Sequence, residues 1–155
     1  MNLLRLTGLG RLPPEAVSVI RTESQLITCE HIWSSITYRK FRSPNRACNW
    51  KRQWFAGSIV VSNDRLIAFC WSKRLINTQF SDPRFAGLKL SAENNLLMIA
   101  HDASLYRDDW SGIVEYRFRT HEAARIVKFA SETARGLLPP CRVPRGLTIV
   151  PGSSN

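Results

Sequence analysis

Ser58–Trp71 reads SIVVSNDRLIAFCW. Ser58–Ser62 is rich in β-branched residues, which suit a pleated, half-buried surface. Asn63 and Asp64 then supply a turn, and Arg65–Trp71 returns as a second extended segment. The segment therefore predicts an antiparallel hairpin, and the chain on either side extends the same pattern.

Downstream, Leu75–Phe80 alternates, and Phe85–Leu90 is a further strand candidate ended by the turn residues Glu93, Asn94 and Asn95. Leu96–His101 (LLMIAH) reads as a buried strand. In Gly112–Arg119, Val114, Tyr116 and Phe118 face one way and Glu115, Arg117 and Arg119 the other. That is period-two patterning with one dry face. Upstream, His31–Tyr38 alternates, with Ile32, Ser34, Ile36 and Tyr38 on one side and Trp33, Ser35 and Thr37 on the other.

The period changes after Arg119. Thr120 is a helix cap, and Glu122 favours the positive end of the helix dipole. Ala123, Ile126, Val127, Ala130 and Ala134 recur at helical spacing, and Gly136 is expected to end the helix. The fold class that follows is mainly β with one C-terminal α-helix. Residues 30–136 form a curled seven-stranded antiparallel barrel or sandwich whose open end the helix caps. Residues 1–29 are an N-terminal lead-in, in which Pro14 starts a short helix over Glu15–Arg21. Residues 137–155 are a Pro-rich tail, with prolines at 139, 140, 144 and 151 that oppose regular structure.

The 155 residues suit one domain, and 44% hydrophobic with 22% charged residues is ordinary for a folded chain. The formal net charge is +10, carried by 17 Arg against 5 Lys. Such an excess favours anionic partners: nucleic acid, an acidic membrane surface or phosphorylated ligands. Arginine's planar fork grips phosphate or carboxylate bidentately. Cys29, Cys48, Cys70 and Cys141 are spread widely, without zinc-ligand spacing. They read as reduced thiols of a cytoplasmic protein, and neither metal nor cofactor is expected. No apolar run approaches the roughly 20 residues that span a bilayer.

The most one-sided stretch is Tyr38–Phe55, YRKFRSPNRACNWKRQWF. It carries Arg39, Lys40, Arg42, Arg46, Lys51 and Arg52 with no acid, among the rings of Tyr38, Phe41, Trp50, Trp54 and Phe55. As an anion site, Arg39, Lys40, Arg42 and Arg46 would surround phosphates on a loop, with Lys51 below them on the following strand. The tryptophans Trp50 and Trp54, together with Phe55, sit in a strand pattern and are expected to be packed.

Asn49–Phe55 (NWKRQWF) resembles the second strand of pleckstrin-homology domains, and Gly57–Phe69 (GSIVVSNDRLIAF) resembles the hairpin that follows it, especially in bacterial members of that superfamily. A final helix after seven strands fits as well. The resemblance spans residues 30–135 and implies a curled sheet of two near-orthogonal halves capped by the helix. It further implies a non-catalytic module that binds phosphoinositide headgroups, peptides or proteins. Lys40 and Lys51 stand at positions where headgroup-binding members carry basic residues, while Gln53 occupies the place of their arginine. Phe129 stands in for the helix tryptophan of eukaryotic members.

The expectation is thus a non-catalytic binding or scaffolding module that recognises an anionic partner through residues 39–52, with Arg39, Lys40, Arg42, Arg46 and Lys51 as anion-binding residues. The partner is an acidic membrane surface or an acidic protein segment, and the protein is cytoplasmic, peripheral at the membrane. A nucleic-acid-binding β-barrel is the alternative. A third reading is a small enzyme using His101 and Asp102 in the loop HDASLYRDDW, which also holds Asp108 and Asp109. An exposed strand edge offers a route to a homodimer, and Trp110 is expected to close the barrel.

Overall fold

A computed structural model of the chain describes residues 8–14, 16–18 and 25–137, with 25, 26 and 137 described by backbone alone. Seven antiparallel strands are followed by one helix: β1 (Gln25–Ser43), β2 (Arg46–Ser62), β3 (Arg65–Cys70), β4 (Lys73–Gln79), β5 (Lys89–Glu93), β6 (Leu96–Asp102), β7 (Ser111–Arg119) and α1 (Ala123–Leu137). They form one sheet in the order β4-β3-β2-β1-β7-β6-β5. The sheet curls into a half-barrel.

The hairpin expected from Ser58–Trp71 is present, with Val61 opposite Leu66 and Gly57 opposite Cys70. Inward residues from every part of the sheet meet in one cluster that includes Phe55, Ile59, Leu66, Ile76, Leu97, Ile99 and Phe118. Burying a side chain of this size contributes roughly 1.5–3 kcal/mol. Helix α1 adds Ala123, Ile126 and Ala130 from its apolar stripe, so it closes one end of the curl. Thr120 Oγ1 accepts the Glu122 N–H at 3.2 Å. The Thr120 N–H donates to the Asn95 carbonyl at 2.8 Å, which ties the helix start to the β5–β6 turn.

Between the edge strands β4 and β5 the sheet stays open. The gap is bridged by Phe80 against Phe85, with centroids 5.1 Å apart, and by the Thr78 and Tyr106 hydroxyls 2.6 Å apart. Both edges are short and carry charges, Lys73 and Arg74 on one and Lys89 and Glu93 on the other, a pattern that discourages edge pairing.

The opposite face of β2 and β3 is also covered. Val60, Ile67 and Phe69 pack against Ala16 and Leu12. Pro14 and residues 16–18 are helical, consistent with a helix starting at Pro14. The rest of the expected 15–21 helix and the Pro-rich segment from 138 onward lie outside the described residues. The lead-in is pinned where the His31 N–H donates to the Gly10 carbonyl at 3.0 Å and the Leu12 N–H to Glu30 Oε1 at 2.9 Å.

Three expectations are revised. Phe85 begins no strand: Pro83–Gly87 is a 3-10 turn, because Asp82 caps it by accepting the Arg84 N–H and Pro83 suits its first position. The strand follows at Lys89–Glu93. Helix α1 does not stop at Gly136 but runs through it to Leu137. Finally, residues 39–52 are no loop. Register is unbroken from Ser35↔Trp54 to Ser43↔Arg46, so the two strands continue to a turn at Pro44 and Asn45.

Candidate anion-binding face

The β1–β2 arm is the pair of strand segments from Arg39 to Ser43 and from Arg46 to Trp54. Alternation along β1 changes at Lys40, which has φ +48°. The β1–β7 register shifts by one between Arg39 and Arg42, where Gly112 (φ +96°) lies against the Lys40 backbone. The bulge turns Phe41 into the core, edge-on to Tyr38 at 5.0 Å and to Trp110 at 5.2 Å. Trp110 thus packs on the barrel wall, as expected.

The five expected anion-binding residues occupy several environments. Arg39 lies on the outer sheet face, where its Nη2 contacts Glu115 Oε2 at 3.3 Å. Arg46 turns its guanidinium over the Tyr38 ring at 4.7 Å. Lys40 and Arg42 share a shallow cleft of about 420 Å³ with Phe41, Ala47, Cys48 and Asn49. Lys51 is exposed and in register with Tyr38. Among the described residues, no carboxylate lies within ion-pair distance of Lys40, Arg42 or Lys51.

The tryptophans overturn an expectation. Trp33, Trp50 and Trp54 are 49, 61 and 57% exposed, while Phe55 is buried. Strand alternation puts Trp50, Arg52 and Trp54 on the outer face and Phe55 on the inner one. The lead-in covers the outer face at Val60, Ile67 and Phe69 and reaches Ala56, where Gly10 lies against it, while Trp50 and Trp54 stay exposed. Trp33 and Trp54, diagonal neighbours on adjacent strands, stack with planes 17° apart. Arg52 donates from Nε to Thr37 Oγ1 at 3.0 Å and lies over the Trp50 ring at 5.5 Å. Next to them on β7, Arg117 Nε donates to Glu115 Oε1 at 2.6 Å. Glu115 is therefore clamped between two guanidiniums, which explains its burial at an outward position.

Sequence reasoning did not include Trp33, Trp54, Arg52 or Arg117 among the site residues. The available signal was the W-x-R-x-W spacing of Trp50, Arg52 and Trp54, which shares one strand face, set opposite Phe55, which belongs to the other.

His101 and Asp102 do not form a joint site. The imidazole lies in the core between Tyr106 and Tyr116, its Nδ1 2.7 Å from the Asp102 carbonyl. Burial pushes its pKa down. The exposed Asp102 carboxylate caps the turn that follows, accepting from Ser104 N and Oγ, and these bonds lower its pKa. Among the described residues, no cluster of three or more His, Cys, Asp or Glu side chains is placed to hold a metal. No helix among them is long and apolar enough to cross a membrane.

No family model matches the chain, and no curated protein matches it. The chain is similar at 11% identity to one in the solved structure "The 8S snRNP Assembly Intermediate", covering 79% of this chain and 90% of that one with a TM-score of 0.39. Likeness at that level carries no argument about function.

Proposed function

We propose that the chain is a non-catalytic binding module that recognises an anionic partner through the β1–β2 arm. The observation that carries this reading is that Lys40, Arg42 and Lys51 are exposed on one strand pair with no described carboxylate within ion-pair distance. Cations left unpaired on a chain of net charge +10 have their field directed at solvent and at whatever anion approaches. Against an acidic membrane surface each contributes about 1 kcal/mol, so the three together give weak, salt-sensitive recruitment. The resemblance of residues 49–55 and 57–69 to pleckstrin-homology domains supports the same class of activity, as a cytoplasmic module peripheral at a membrane or bound to an acidic protein segment. The second reading, nucleic acid, is favoured by a different observation: the exposed indoles of Trp33, Trp50 and Trp54 on the same two strands.

The test is retention on immobilised heparin and sedimentation with anionic against neutral liposomes, each at low and high salt. The wild-type chain should bind at least one polyanion at low salt and release it at high salt. Lys40→Glu, Arg42→Glu and Lys51→Glu together should abolish retention with the circular dichroism spectrum unchanged. Retention unaffected by the triple reversal would sink the reading.

A further inference from the structure

We infer that the outer face of β1, β2 and β7 is a stacking platform for single-stranded nucleic acid, with Trp54, Trp33 and Trp50 receiving bases and Arg52, Arg39 and Arg117 receiving backbone phosphates. This rests on the anionic-partner reading and names the partner. Three properties of the face carry it.

The first is what the exposed groups are. A base offers a flat π-face to an indole and a phosphate to a guanidinium, and stacking tolerates any sequence. Three exposed indoles on one sheet face, with arginines among them, match both chemistries at once. An acidic peptide segment lacks the regular run of planar rings.

The second is spacing. Alternate residues on a strand lie about 6.6 Å apart on the same face, so Trp50 and Trp54 stand about 13 Å apart along β2, with Arg52 at the position between them and its guanidinium over the Trp50 ring. Trp33 extends the platform beside Trp54, its centroid 6.3 Å away. The row runs along the strand direction, as a single extended strand of nucleotides would.

The third is preorganisation. Arg52 is held by Thr37 and by the Trp50 ring, and Arg39 and Arg117 by Glu115. Their rotamer freedom is already spent before a ligand arrives, which lowers the ordering cost of binding. The Glu115 carboxylate neutralises only one of the two arginines it holds. In a duplex the bases are stacked on one another and offer no free face to an indole, which favours single strands.

The experiment is fluorescence anisotropy of a labelled oligo(dT) of about 12 nucleotides with the full chain, read beside intrinsic tryptophan emission and with anionic liposomes as a second arm. Binding should quench tryptophan, weaken steeply with salt and fall about tenfold or more in Trp54→Ala and in Trp50→Ala. Trp54→Phe, which keeps a ring, should retain most of the affinity. Liposome binding without oligo(dT) binding would overturn the nucleic-acid assignment and leave the anionic-partner reading standing. Binding to neither would overturn both. Oligo(dT) binding unaffected by Trp50→Ala and Trp54→Ala would overturn the platform.

Discussion

A β-carbon on Gly112 would lie 2.4 Å from the Lys40 carbonyl oxygen and 2.7 Å from that of Arg39. The two residues form one joint: Lys40 bulges from β1 and Gly112 passes beneath it with φ +96°. Only the absence of a side chain permits that approach. Gly112→Ala should therefore cost at least about 2 kcal/mol, from the left-handed backbone and the backbone clash combined. Urea denaturation checks this, and a change under 0.5 kcal/mol would show that the joint has slack.

His101 makes stability pH-dependent. Its buried ring favours the neutral form, so its pKa falls below the ordinary value of 6.5. The unfolded chain then binds more protons than the folded one just below pH 6.5, and stability rises with pH through that window. The contribution is complete above the unfolded value and is lost on acidification. Unfolding free energies measured between pH 5 and 8 should show this slope, and His101→Phe should flatten it.

Closure of the curl depends on Ile126, which is fully buried. Ile126→Ala should lower stability by about 2–5 kcal/mol, whereas Lys128→Ala, at an exposed position of the same helix, should stay within about 0.5 kcal/mol. Equal effects of the two would mean the helix is not part of the core.

Glu115→Gln separates folding from binding. The arginines it holds are 47% and 29% exposed in their side chains, so solvent screens much of the attraction. The stability loss should be about 1 kcal/mol or less. Removing one negative charge from the outer face should meanwhile raise the affinity for oligo(dT) and steepen its salt dependence.

Thiol reactivity should follow burial. Cys29 is buried and its thiol pKa is raised chiefly by desolvation, while Cys48 opens onto the cleft beside Lys40 and Arg42. Alkylation of the native chain followed by peptide mapping should label Cys48 well before Cys29. The reverse order would mean that β1 opens locally near its start.

The strand pairs and the helix were legible because they depend on local periodicity. Val114, Tyr116 and Phe118 alternate, Ala123, Ile126 and Ala130 recur by helical turns, and Asn63 and Asp64 turn the chain between two apolar runs. Each signal acts within a few residues. The 3-10 turn at Pro83 was obscured by the apolar residues after it, although Asp82 and Pro83 carried the correct signal.

The sequence alone determined that this chain is a curled antiparallel sheet closed by one amphipathic helix, with its positive charge concentrated between residues 39 and 52. Tertiary structure decided which side of the sheet is covered. Alternation divides the side chains of β2 into two faces but does not say which face another element will occupy. Phe55 met Phe118 in the core, Val60 met Ala16 of the lead-in, and Trp50 and Trp54 met neither. Burial is a property of contacts between distant segments, and so is the partition of the arginines between Glu115, Tyr38 and open solvent.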